Sequence, residues 1–234
     1  MLKIKDEQNK IKKYNDFELN TMTYNQALKI DKRAFYQYYI SLIKRKHPVI
    51  FSFFPITDYN SIIIKFDLFY LSFSFYYFFN ALFFDEKVIH KIYEDEGIYN
   101  FVYLVPFVMY SFILSHFLFI TVKYFSLSEK NISQIKIDKN DDNTDKIKRK
   151  IIIKYFLFFI ISIAFLSFLW YYLSSFGAVY QNTQTYLLKN TMISFGISFL
   201  YPFIINIIPV IIRIYSLNKK KESMYKIGFI IQYI

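Results

Sequence analysis

The chain is 234 residues long, 55% hydrophobic and 20% charged, with a net charge of +11 and no cysteine. The missing cysteine excludes disulfides, thiolate nucleophiles and Cys-based metal sites. The surplus of positive charge flanks apolar blocks instead of forming a continuous basic face, so anionic lipid headgroups are the expected counterpart and nucleic acid is not. Phe, Tyr, Ile, Asn and Lys all have AT-rich codons, so the 23% aromatic content reads as a GC-poor genome and carries little functional weight.

The first segment, MLKIKDEQNKIKKYND, is charged and lacks an apolar core, which is not the pattern of a signal peptide. Residues 1–22 are expected to be a flexible cytoplasmic N-terminus, and residues 23–60 an amphipathic helix with its linker. Thr23 and Gln26 have the spacing of a capping box. Phe35, Tyr38, Tyr39, Leu42 and Ile43 repeat at helical spacing on one face. Lys44, Arg45 and Lys46 suit the negative end of that helix, and Pro48 stops it. Such a helix can lie in the membrane interface or dock on the protein's own cytoplasmic side. The apolar run 49–56 is too short to span, because a crossing needs about 20 residues.

Four longer blocks follow, at 66–84, 98–122, 155–176 and 192–212. Each is long enough for a hydrocarbon core of about 30 Å. A soluble core helix of this length carries a charged face, and none of the four does. The segments between them predict orientation. Residues 85–97 hold Asp85, Glu86, Glu94, Asp95 and Glu96 against Lys87 and Lys91, while 177–191 carry only Lys189. Residues 126–150 contain the cluster Lys146, Lys148, Arg149 and Lys150, and the tail contains Arg213, Lys219, Lys220, Lys221 and Lys226. Basic segments stay in the cytoplasm. The prediction is four antiparallel spans with both termini inside, and Trp170, Tyr171 and Tyr172 in the outer aromatic belt.

Several strings occur together: DKRAFYQYYISLIKRKHPVIFSFF, HKIYEDEG followed by IYNFVYLVP, SLSEKNI, and AVYQNTQTYLLKNTMISFGISFLYPFIINIIP. As a set they resemble a group of multi-span membrane proteins, or C-terminal membrane regions of longer proteins, from AT-rich protists. The resemblance covers about residues 31–217 and leaves out 135–150. It implies a membrane module that can belong to a larger polypeptide. It implies no activity and carries over no catalytic or binding residue.

The fourth block has the most informative pattern. At about 100° per residue, Thr191, Ser194, Ser198, Pro202, Asn206, Pro209 and Arg213 fall within an arc of about 120°. Small and polar residues mark the packed side of a membrane helix, so this arc is expected to face the bundle. Pro202 and Pro209 deprive the carbonyls of Ser198 and Ile205 of their donors, and Asn206 between them is placed to answer such a group. The arc lines a polar path if the helix serves permeation, and is close packing if it does not. His116, near Ser111 and Ser115 in the second block, is either a proton-relay group or a packing imidazole.

Other motifs fail on their own chemistry. His47, His90 and His116 fall at different membrane depths and cannot share a metal. Asp138, Asn140 and Asp142 imitate a calcium loop, but Asn143 and Arg149 stand where its Gly and bidentate Glu are required. Glu94, Asp95 and Glu96 can draw cations to an outer vestibule or simply be solvated. No phosphate loop, Ser/His/Asp set or zinc-protease helix is present, so no enzyme activity and no cofactor are expected. The only sequon, at Asn131, is predicted to face the cytoplasm and stay unmodified.

The expectation is therefore an all-α membrane protein: an N-terminal amphipathic helix, a four-span region over 61–217 and a cytoplasmic tail over 218–234. Its expected role is membrane anchoring or interaction, with the bilayer, other membrane proteins or a second copy as partners. The alternative is a channel or transporter component whose path involves Ser198, Pro202, Asn206, Pro209 and His116. Plasma membrane and endomembrane are not distinguished.

Overall fold

The computed structural model describes residues 14–54, 58–96, 98–137 and 141–232. Among these residues the protein is entirely helical, and four helical stretches are long and apolar enough to cross a membrane. The expected calcium-loop imitation at Asp138 and Asn140, together with the Asp142 side chain, lies outside the described residues.

Among the described residues four short helices come first: α1 (Asp16–Asn20), α2 (Tyr24–Ile30), α3 (Phe35–Lys46) and α4 (Pro48–Phe53). Helix α1 is held by a reciprocal cap, with Glu18 N donating to Asn15 Oδ1 at 2.8 Å and Asn15 N donating to Glu18 Oε2 at 2.9 Å. Glu18 also receives Lys136 Nζ at 3.0 Å and Tyr59 OH at 3.0 Å. From Asn15 onward the segment expected to be flexible is thus folded and tied to distant residues. At Thr23 only part of the expected capping box forms, with the backbone N and the hydroxyl both donating to Gln26 Oε1. In α3 the residues Tyr38, Leu42 and Ile43 are buried, Tyr39 is half-buried and Phe35 is exposed. As expected, α3 stops at Lys46 ahead of Pro48, and helical structure resumes at Pro48 itself. This proline opens α4 at N1, where a missing N–H costs nothing, and His47 Nδ1 accepts from Ile50 N.

The long helices are α5 (Ile62–Leu82), α7 (Phe101–Ser126), α9 (Asp141–Val179) and α10 (Gln184–Ile205), with α6 (Glu86–Glu94) between the first two and α8 (Glu129–Ile137) before α9. Helix α10 continues, after a break, into α11 (Ile207–Asn218), and α12 (Glu222–Ile231) follows. These helices extend beyond the apolar blocks seen in sequence. A charged turn costs a helix nothing once it has left an apolar core, so Lys123 and Ser126 remain in α7 and the basic run 146–150 forms the start of α9. The hydrophilic stretch 126–150 is consequently helical at both ends.

Two apolar clusters show how the long helices meet. One joins Ile64 and Leu68 early in α5 to Phe119 late in α7 and Phe158 near the middle of α9. The other joins Ala81 at the end of α5 to Leu104 early in α7, Leu173 and Phe176 late in α9, and Leu187 early in α10. Helix α10 packs on both α5 and α7. A third group, Tyr76, Phe112 and Phe195, joins these three helices midway. Trp170 turns inward, donating from Nε1 to Ser74 Oγ at 3.1 Å, whereas Tyr171 is exposed.

The break in the fourth stretch lies at Asn206. Pro202 and Pro209 each remove one backbone donor, and Pro209 falls in the first turn of α11, where none is needed. Asn206 donates from Nδ2 to Pro202 O at 2.7 Å, its own preceding turn, rather than to either orphaned carbonyl. Helix α12 folds back on α11 through Gly228, where a Cβ would lie 3.0 Å from Ile212 Cγ2.

Candidate functional site

Every residue of the predicted arc is buried: Thr191, Ser194, Ser198, Pro202, Asn206, Pro209 and Arg213. Their polar atoms are mostly answered within their own helix. Thr191 Oγ1 donates to Leu187 O at 2.8 Å, Ser194 Oγ to Thr191 O at 3.1 Å, and Ser198 Oγ to Phe195 O. Ser and Thr bound back in this way let two helices approach closely while leaving no polar group unmet. A bond crosses from α5: Asn80 donates to Ser194 Oγ at 2.8 Å and also to Tyr76 O at 2.8 Å. At the far end of α10, Tyr99 OH donates to Asn190 Oδ1.

His116 faces the same helix near its proline. Its ring lies 4.8 Å from that of Tyr201 in an edge contact and stacks on Phe112 at 5.6 Å. Its Nε2 is shielded from solvent and has no hydrogen-bond partner among the described residues. Ser111 Oγ, Ser115 Oγ, Asn80 Oδ1, Asn190 Nδ2 and Asn206 Oδ1 are in the same condition. The bundle therefore holds a file of buried polar atoms along α5, α7 and α10, with His116 and Asn206 towards one end.

At that end a charged node assembles residues from both ends of the chain. Arg213 Nη2 donates to Asp31 Oδ2 at 2.8 Å and to Leu19 O at 2.7 Å, and Nη1 donates to Asn20 O at 3.2 Å. Asp31 is also gripped by Arg33, at 2.8 Å from Nε and 2.9 Å from Nη2. The Arg213 guanidinium lies between aromatic rings, 4.7 Å from the centre of Tyr38 and 4.9 Å from that of Tyr225. Tyr38 OH donates to Gln232 Oε1 at 2.7 Å, Gln232 Nε2 to Asn20 O at 3.2 Å, and Tyr225 OH to Met22 O at 2.7 Å. Burial pushes the Asp31 carboxyl up, but the hydrogen bonds and charge of Arg33, with those of Arg213, hold it below the usual carboxylate range. A carboxylate between two guanidiniums, capped by carbonyls and rings, is a clasp in which Asp31 has its acceptors filled while Arg213 Nε has no hydrogen-bond partner among the described residues.

Beside the node, α3 closes on α7 and α8. Arg45 Nη2 donates to Glu129 Oε2 at 3.0 Å, and Lys123 Nζ donates to Arg45 O at 2.7 Å. Lys65 and Asp58 form a buried pair at 2.7 Å, and Asp67 of α5 accepts from Ser162 of α9 at 2.6 Å.

Sequence reasoning placed Arg213 on the inward arc but missed its partners. Asp31 and Arg33 lie two residues apart beside an amphipathic helix, and no local spacing marks them as partners of Arg213. Their role depends on the segment before α3 folding over α11, which helical periodicity does not report. His47 sits in rings, 5.8 Å from Phe199 and 5.1 Å from Phe203, while His90 is on α6, 3.2 Å from Glu94. Compared with known proteins, the chain matches no family model, no curated protein and no solved structure.

Proposed function

We propose that the protein is an integral membrane module of four antiparallel spans, with both termini on the cytoplasmic side, that anchors or presents an interaction surface and performs no chemistry of its own. The observation that carries this reading is the apolar exterior of the long helices. On α9 alone Ile153, Phe156, Ile160, Ile163 and Phe168 each expose about half or more of their surface. An apolar sheath of that length is tolerated in lipid and not in water.

The two clusters support antiparallel packing, because early residues of α5 meet late residues of α7 in one, and late residues of α5 and α9 meet early residues of α7 and α10 in the other. Lys65, Lys123, Lys154 and Arg213 then all belong to the end where α1–α3 fold, which supports placing that end in the cytoplasm. With its Tyr38 face docked on Val210 of α11, α3 serves as a cytoplasmic brace. The Thr191, Ser194 and Ser198 hydroxyls, each bonded back to its own helix, favour packing over permeation. The resemblance to membrane regions of longer proteins is consistent with a module, and that relationship is itself part of the proposal.

The absence of cysteine makes the test direct. Single cysteines at Lys219 and Glu94, in protein that resists carbonate extraction, are expected to label from opposite sides of sealed microsomes, with Asn131 unglycosylated. Extraction by carbonate, labelling from one side, or a glycan on Asn131 overturns the model. A second reading rests on the file of unpartnered buried atoms from Asn190 to His116 and Asn206, which resembles a hydrated path. Ion flux through reconstituted protein that His116→Leu or Asn206→Leu abolishes selects that reading; no flux, with a stable partner recovered from membranes, selects the module.

A further inference from the structure

Helices α11 and α12 form a hairpin. Lys221 N donates to Ser216 O at 2.9 Å, the Arg213 guanidinium lies 4.9 Å from the centre of the Tyr225 ring, and Gly228 abuts Ile212. The two helices therefore run antiparallel, and Ile230 falls beside the first turn of α11 instead of projecting past its end. On the outward side of α11, exposed Ile207, Ile208, Ile211 and Tyr215 share an arc of about 100°. They continue the exposed apolar face of α10 from Ile204. Exposed Asn218 comes next, and then Lys219, Lys220 and Lys221 at the tip. Helix α12 repeats this order in reverse. Its exposed charges, Glu222 and Lys226, lie in the half next to the tip and pair at 2.9 Å, while Ile227 and Ile230 are exposed in the other half.

A protein partner selects one face of a helix, and its mark is a change of polarity around the circumference. A bilayer is layered, and its mark is a change with depth, from apolar residues through Tyr to Lys and Arg. Among the exposed residues of the hairpin the change runs along the axis of both helices and reaches its polar extreme at their shared tip. The charges level with the apolar part, Arg213 and Asp31, are each only 3% exposed and clasped on the inside. Three exposed lysines at the tip complement anionic headgroups, and the apolar part is continuous with the exterior of the fourth span.

We infer that the α11–α12 hairpin is seated in the leaflet at the basic end of the bundle, with Lys219–Lys221 among the headgroups and Ile227 and Ile230 against acyl chains. Residues 222–231 are then a re-entrant membrane foot and not a tail in solution. This inference rests on the membrane reading above and adds to it a lipid-binding surface after the fourth span.

The test places single cysteines at Ile163, Lys219, Ile227 and Ile230 of this cysteine-free chain, attaches bimane in detergent and returns the full-length protein to phosphatidylcholine nanodiscs. Two quenchers are compared: a phospholipid with a nitroxide on its acyl chain, and aqueous iodide. Ile163, exposed near the middle of α9, is the lipid reference, and exposed Lys219 is the water reference. At the Ile227 and Ile230 positions the nitroxide lipid is expected to quench as it does at Ile163. Iodide is expected to quench there about tenfold less than at Lys219, because an anion leaves water only at a large cost. Iodide quenching equal to that at Lys219, with Ile163 still protected, overturns the inference and spares the membrane reading. Protection from both quenchers also overturns it, since protein then covers the hairpin. Iodide quenching at Ile163 removes the membrane reading and this inference together. If the variants do not fold, the wild type decides: a phospholipid with an acyl-chain diazirine is expected to crosslink to the peptide holding Ile227 and Ile230, and crosslinks to α9 without any to that peptide overturn the inference.

Discussion

Arg213 Nη2 lies 2.8 Å from Asp31 Oδ2, across 182 residues of sequence, and each side chain is only 3% exposed. The pair ties the segment before α3 to the end of the fourth apolar helix. Arg213→Met takes the side-chain donor from the Leu19 carbonyl, leaves the Asn20 carbonyl with Gln232 alone, and halves the cationic support of Asp31. The expected destabilisation is about 3 kcal/mol, at the low end for a broken buried pair because Arg33 remains. Arg213→Lys should recover less than half, since one ammonium cannot reach all three acceptors. Thermal unfolding in detergent checks both; a wild-type midpoint for Arg213→Met would mean that the clasp does not hold the fold.

The same clasp makes stability depend on acid. Arg33 and Arg213, acting against burial, hold Asp31 below its ordinary 3.8, so the folded protein releases this proton more readily than the unfolded chain does. The contribution is therefore complete above the ordinary carboxylate pKa and is lost as pH falls below it through the folded value. Midpoints measured across the acid range should fall for the wild type, with a flatter slope in Asp31→Asn.

Lys46 acts in the opposite pH range. Burial, with Arg45 adjacent, pushes its amine down from 10.5 to about 8. Between those values the unfolded chain holds the proton and the folded chain does not, so stability rises with pH across that window. In detergent the unfolding midpoint should climb through this range for the wild type, and Lys46→Met should make the climb shallower, leaving the part due to Lys123, whose amine burial pushes down to about 7. An unchanged climb in the variant would place the titrating group elsewhere.

Asn80 and Ser194 provide a bond between α5 and α10, at 2.8 Å. A double-mutant cycle with Asn80→Leu and Ser194→Ala is expected to show coupling of about 0.5–1 kcal/mol, the usual size for such bonds in membrane bundles. Coupling near zero would assign the contact between these helices to the Tyr76, Phe112 and Phe195 rings instead.

Lys220 closes the turn between α11 and α12 with φ 52°, while Lys221 N donates to Ser216 O at 2.9 Å. This is the left-handed position after a helix, which glycine fills without Cβ crowding. Lys220→Gly should stabilise the protein by up to about 1 kcal/mol, the relief of strain being offset by glycine's greater freedom when unfolded. Equilibrium denaturation reads the shift, and a loss of stability would count against the turn.

Four apolar stretches, the inward polar arc of the fourth and its interruption near two prolines were all legible in the amino-acid order. Each is a consequence of local periodicity: about 20 residues without charge exceed what a soluble helix face tolerates, and residues at helical spacing share one side wherever the helix lies. The partner of Arg213 was not legible, nor the shielding of Lys46 and Lys123, nor that Asn206 would bond its own preceding turn. Those depend on where α3 and α12 fold against α11 and on how far α7 runs past its apolar block. Contacts between residues 182 apart follow from the packing of whole helices, and no local pattern encodes them. Composition and spacing therefore determined that this protein has helices suited to a membrane; tertiary packing alone decided which of its charges are clasped and which are left seeking a partner.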